Sequence, residues 1–187
     1  MKLRVVGCSP AWQNPGGAQS GYIVEEDGRR LLLDCGPGVL PRLRETEGWP
    51  QVDAIAITHF HLDHWGDLVP WSFGVLFGPG RGVPLPELWL PPDGVNTLRA
   101  LDDPLFSSVL ADRFPVFEYE GETPFVAAGF EVTAIRMDHY DLISFGFRVA
   151  GAKRLLAYSG DSAPAPALAE LGRGADLMLC EATLAQP

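Results

Sequence analysis

The sequence predicts an α+β fold built as a four-layer αββα sandwich, two sheets face to face with helices outside. Three observations predict it. Strand patterns are followed by helical patterns in each half of the chain, the strands are short apolar runs bounded by turn residues, and the polar residues able to do chemistry stand at strand ends. At 187 residues and 47% hydrophobic, the chain can build one sizeable core, and no Ser/Gly or charged linker divides it, so residues 1–187 read as one domain.

Leu3 to Val6 reads as a first strand and residues 7 to 17, rich in Pro, Gly and Asn, as a turn-rich loop. Gly21 to Val24 and Arg30 to Leu33 follow as strands, with Asp27-Gly28 between them as a hairpin signal. Asp34-Cys35-Gly36-Pro37-Gly38 ends the third strand, and Val39 to Glu47 carries Val39, Leu40 and Leu43 at helical spacing. Val52 to Ile57 is a buried strand. Gly66 to Leu76, with Trp71 and Phe73 inside it, predicts a helix that carries Trp side chains near the site. The glycine-rich stretch 77–84 lacks the Lys-Ser/Thr ending of a phosphate-cradling loop and has no nucleotide role.

Glu87 to Leu90 reads as a strand, Gly94 to Leu101 as a helix, and 102 to 113 as a second helical piece. A second set of strands is then expected at Val116 to Tyr119, Phe125 to Ala127, Phe130 to Met137, Ser144 to Val149 and Leu155 to Tyr158. Helix Pro164 to Leu171 and strand Leu177 to Cys180 end the pattern.

Composition weighs against several classes of function. Net charge is −10, and the pI of 4.7 argues against the broad phosphate-binding surface that dominates nucleic-acid affinity, so an extended nucleic acid is a disfavoured partner. No apolar signal region opens the chain and no apolar run reaches membrane-spanning length, which leads to the expectation of a cytoplasmic protein with no membrane partner. Three cysteines, Cys8, Cys35 and Cys180, are odd in number and lie beside apolar runs. They read as small buried thiols in a reducing compartment.

The chemistry concentrates in Thr58-His59-Phe60-His61-Leu62-Asp63-His64, which holds three of the 4 histidines directly after a strand. If the backbone leaves the strand extended, His59 and His61 project to one side and can share a cation, and a following turn can aim Asp63 and His64 at a second. The plainer reading, surface histidines on a polar loop, suits the segment poorly, because imidazoles packed together without a metal repel one another when protonated. His139 and Asp161 each stand at the end of a later strand. Asp34, at another strand end, is suited to accept the second ring N–H of a metal-bound imidazole and fix its tautomer, with a plain turn acid as the alternative.

In residue type, order and context, His59-x-His61-x-Asp63-His64, the lone His139 and Ser159-Gly160-Asp161 resemble the metallo-β-lactamase superfamily. Asp34-Cys35-Gly36-Pro37-Gly38 looks like that family's Asp-x-Gly turn. The Ser-Gly-Asp-Ser form and the segment 176–183, ending Glu-Ala-Thr, are similar to its ribonuclease Z-like, phosphodiesterase-like branch. The resemblance implies two zinc sites: His59, His61 and His139 hold one metal, Asp63 and His64 the second, and Asp161 bridges them. Manganese is an alternative ion. In the family a further histidine reaches the second metal from beyond the Glu-Ala-Thr segment, and no histidine follows His139 here. The expectation is therefore an incomplete second site in a chain lacking the family's C-terminal segment.

Two cations about 3.5 to 4 Å apart would turn a bridging water into a nucleophile near neutral pH. The resemblance thus implies a zinc-dependent hydrolase of small-molecule or nucleotide phosphodiesters, with Asp63 orienting the nucleophile as well as binding metal. Glu181 lacks its usual histidine partner and is not counted as catalytic. A lactonase or esterase, ribonuclease Z-type tRNA processing, and an inactive remnant that keeps the fold are the alternatives, and self-association into a homo-oligomer stays open.

Overall fold

The computed structural model describes residues 1–101, 110 and 113–182. Its first sheet runs in the order β1 (Lys2–Gly7), β2 (Gly21–Glu26), β3 (Arg29–Leu33), β4 (Ala54–Ala56), β5 (Glu87–Leu90), β6 (Val116–Glu118). The sheet starts antiparallel because Asp27 and Gly28 close a two-residue hairpin, both in the left-handed region (φ 51° and 78°), with Glu26 paired to Arg29. From β3 onward it is parallel. Parallel neighbours need crossovers. Those connections carry α1 (Val39–Arg44), α2 (Leu62–Trp65), α3 (Leu68–Phe77) and α4 (Gly94–Arg99).

The second sheet runs β11 (Leu177–Leu179), β10 (Leu155–Tyr158), β9 (Ser144–Ala150), β8 (Phe130–Met137), β7 (Phe125–Ala127), and α5 (Pro166–Gly172) lies outside it. Alternation along the strands separates three layers of core. Leu31 and Leu33 face the second sheet and meet Val132, Ala134, Phe147 and Leu156. Leu32, Ile55 and Leu88 face outward onto Val39, Leu43, Leu68 and Trp71 of the helices. On the far side, Ile135, Met137 and Ala157 pack against Leu171 of α5. This is the αββα sandwich, α+β in class.

Two expectations need correction. Val116 to Tyr119 does not join the second set of strands: β6 is the edge of the first sheet, parallel to β5 with Leu88 opposite Val116. A helical crossover returns the chain to the same sheet, and strand patterning alone does not name a partner. The helix expected over 66–76 forms as α3, but its expected placing of Trp side chains near the site does not hold. Trp71 turns away into the outer core, edge-on to Trp49, and Trp65, the last residue of α2, donates to the Phe60 carbonyl at 3.2 Å. The helical piece expected over 102–113 lies largely outside the described residues. Among the described residues, no helix is long and apolar enough to cross a membrane.

Candidate metal centre

Parallel pairing places the site. Leu33 lies opposite Ala56, so the residues that leave the C-terminal ends of β3 and β4 emerge together at one edge of the sheet. The Asp34 amide donates to the Ala56 carbonyl at 2.9 Å, and the chain then turns with Asp34 at φ 57°, a conformation Asp tolerates better than most residues. The Cys35 amide donates to the His64 carbonyl at 2.7 Å and the Asp67 amide to the Cys35 carbonyl at 3.0 Å, which stitches this turn to α2. Asp67 in turn caps α1, accepting the Leu40 amide at 2.7 Å. Burial raises its carboxyl above the usual range, and the amides of Leu40, Gly38 and Val39 pull it back.

This approach requires glycine at 36, where a Cβ would stand 1.9 Å from the Asp63 carbonyl oxygen. Gly36→Ala is expected to push α2 off the turn, with a stability loss of about 1–3 kcal/mol, as for overpacked sites, and weaker metal uptake. Denaturant unfolding and metal titration of the variant check this; parent values in both would mean that the segment yields freely.

Beyond β4 the chain has no regular structure until His61, itself extended (φ −72°, ψ 138°), and then enters the single turn of α2, which carries Asp63 and His64. His59 Nε2 stands 3.2 Å from His61 Nδ1, and His139 Nε2, two residues past β8, stands 2.9 Å from the same atom. Asp161, beyond β10, brings Oδ2 to 3.9 Å from His59 Nε2 and 3.7 Å from His139 Nε2. Its Oδ1 lies 3.1 Å from His64 Nε2, and Asp63 Oδ2 lies 3.6 Å from that nitrogen on another side. The six predicted ligands thus form two overlapping groups, His59, His61, His139 and Asp161, and Asp63, His64 and Asp161, in each of which the ligand atoms lie within 4.8 Å of one another.

The groups fit divalent cations. Three imidazole nitrogens converge on one point, and protons can satisfy only some of those lone pairs, whereas a cation accepts all of them. Burial, reinforced by the charge of His64, drives His59 down to about 2, so its ring is neutral. Burial also lowers His139. For His64 burial works the same way, but Asp34 and Asp161 outweigh it and raise the imidazole to about 10. Burial would lift Asp161, yet its hydrogen bond to His64 and the charge there hold it at about 2. His64 between two carboxylates marks a place where positive charge is held, the role a cation would share.

Asp34 stands behind the ligands. It is buried, and its Oδ2 accepts from His64 Nδ1 at 2.7 Å and from the Tyr158 hydroxyl at 2.7 Å, while Oδ1 accepts the Thr58 amide at 2.8 Å. Asp34→Ala is expected to weaken metal affinity about 10 to 100-fold, as losing a ligand's outer partner does, measured by titrating the metal-free variant; parent affinity would reduce Asp34 to a turn residue. Sequence reasoning missed Thr58 and Tyr158. For Thr58 the signal was its hydroxyl between Ile57 and His59; for Tyr158 there was none, since its contact crosses between sheets.

A cavity of about 280 Å³ opens beside Asp161, lined by Cys8, Ser20, Tyr22, Tyr158, Cys180 and Glu181. Glu181 accepts the Ser162 amide at 3.1 Å, and burial raises its carboxyl above the usual range. The cysteines correct an expectation: Cys35 is buried, but Cys8 and Cys180 are exposed free thiols. Each follows a strand, β1 or β11, that forms the edge of its sheet among the described residues.

Residues 29–187 match the beta-lactamase superfamily domain. The probable metallo-hydrolase YhfI of Bacillus subtilis is 25% identical over 183 residues, 97% of this chain and 72% of that protein. Ribonuclease Z of Salinibacter ruber is 32% identical over 181 residues, 90% of this chain and 55% of that protein. The crystal structure of YhfI superposes with a TM-score of 0.79 at 22% identity, covering 94% of this chain and 69% of that one, a likeness of fold.

Proposed function

The chain belongs to the beta-lactamase superfamily, and from that premise we propose that it is a zinc-dependent hydrolase cleaving phosphodiester bonds in small or nucleotide substrates. One observation carries the reading: Asp161 offers one oxygen to each of two ligand groups, so two cations would share it. His59, His61 and His139 would hold the first and Asp63 and His64 the second. Bound divalent cations would supply water that ionises near neutral pH and charge to offset that on a phosphoryl oxygen.

The chain's own residues do the rest. Asp63, with its side chain 17% exposed and Oδ2 3.6 Å from His64 Nε2, would orient an attacking water and take its proton. The cavity beside Asp161 is large enough to receive one substituent of a diester, and Tyr22 and Glu181 offer it polar contacts. The ribonuclease Z relative supports a phosphodiester substrate, while the net charge of −10 favours a small one over an extended RNA. Assay of the protein with added zinc or manganese on bis(p-nitrophenyl) phosphate against an acyl lactone tests the proposal. Faster turnover of the lactone would move the assignment to a lactonase or esterase, and no turnover of either would leave a non-catalytic metal-binding protein.

Occupancy should be unequal. The first group offers four ligand atoms, three of them imidazole nitrogens, whereas the second offers three and shares one residue with the first. One metal is expected to stay through purification and the second to bind only from added zinc or manganese, with turnover rising as it does. Calorimetric titration of metal-free protein checks this, and two equally tight sites would overturn it.

A further inference from the structure

Resting on the metal reading above, we infer that Thr58 is a positioning residue whose hydroxyl passes the hold of the buried Asp34 carboxylate on to His59. The inference comes from counting protons. Thr58 Oγ1 lies 3.1 Å from Asp34 Oδ1 and 3.0 Å from Oδ2, and on its other side 3.0 Å from His59 Nδ1. A carboxylate only accepts and a hydroxyl has one proton to give, so that proton points at Asp34 and the oxygen faces His59 as an acceptor. His59 must then carry its own proton on Nδ1. Its Nε2 is left bare toward His61 and Asp161.

The same carboxylate fixes His64 directly, since Nδ1 donates to Oδ2 at 2.7 Å and Nε2 is turned toward Asp63 and Asp161. One acid therefore sets one ring in each ligand group, His64 by contact and His59 through Thr58. Tyr158, from the opposite sheet, holds the acid in place with a 2.7 Å hydrogen bond. Thr58, Asp34 and Tyr158 are all shielded from water, so no solvent molecule competes for these roles.

Three measurements test the role without relying on activity. In metal-free parent, ¹⁵N NMR of labelled histidine should show the His59 proton on Nδ1; a proton on Nε2 would overturn the inference whatever the variants do. Thr58→Val keeps the shape and removes the hydroxyl. It should mix the two His59 tautomers and lower cobalt affinity, followed by visible absorption, about 10 to 100-fold. Thr58→Ser should restore both to near parent values. A valine variant that binds cobalt like the parent, or a serine variant as weak as the valine one, would reduce Thr58 to a packing residue. A parent that takes up neither cobalt nor zinc would instead bring down the metal reading itself, so the two failures are distinct.

Discussion

Replacing Asp161 by alanine is expected to leave less than one tightly held metal per chain and to lower turnover of a phosphodiester by more than about 100-fold, beyond the loss that follows removal of an outer partner of a ligand. Asp161 is the residue that belongs to both ligand groups, with Oδ2 toward His59 and His139 and Oδ1 toward His64. Its removal subtracts a ligand from each group at once. It also leaves His64 with Asp34 as its remaining short carboxylate contact, so the imidazole should lose part of the upward push on its proton affinity. Metal content after dialysis, read beside the rate, decides the matter. A variant that keeps its metal and loses only rate would make Asp161 a group acting on the substrate, and one that keeps both would remove it from the centre.

Phe147→Ala is expected to cost about 3–5 kcal/mol, the usual range for deleting a buried aromatic ring and a large part of the 5–15 kcal/mol that typical domains have. Phe147 is fully buried between the sheets, edge-on to Tyr119 at 5.4 Å and to Phe125 at 6.4 Å between ring centroids. It lies on β9, flanked by β8, which leads to His139, and by β10, which leads to Asp161. The cavity left by the ring therefore loosens the strands that aim two of the ligands. Urea unfolding of metal-free parent and variant gives the difference without a contribution from bound metal. A loss below about 1 kcal/mol would mean that the aromatic cluster collapses around the gap far more easily than usual.

Local chemistry was legible where the signal is local. Asp27-Gly28 announced its hairpin because both positions need positive φ. His59, His61, Asp63 and His64 announced a cluster by their crowding, and the structure brings them together with His139 and Asp161. What escaped was pairing between distant segments. Val116 to Glu118 has a strand's composition, but which sheet it joins depends on the crossover before it. Cys8 and Cys180 have apolar neighbours in sequence, yet they leave edge strands and meet solvent. The turn after His61 was legible, but its anchoring was not, since the Cys35–His64 and Asp67–Cys35 hydrogen bonds tie it to a turn distant in sequence. Tyr158 could not be read at all, since its reason for being a tyrosine lies on β3's side of the sandwich.

The candidate ligands are divided between the two sheets, four on the segment that follows β4 and two beyond β8 and β10, and this has a consequence for how the protein is made. During synthesis the His59 to His64 segment leaves the ribosome well before His139 and Asp161, and it can offer a cation only part of a cage. Firm capture would have to wait until the second sheet has closed over the first. A metal taken up then would behave as a late fastener across the seam, holding folded molecules without guiding them there. Because unfolded chains lack the cage, free metal at 1,000 times its dissociation constant would add about 4 kcal/mol to the resistance to unfolding, and chelation would release the seam before it disturbed either sheet.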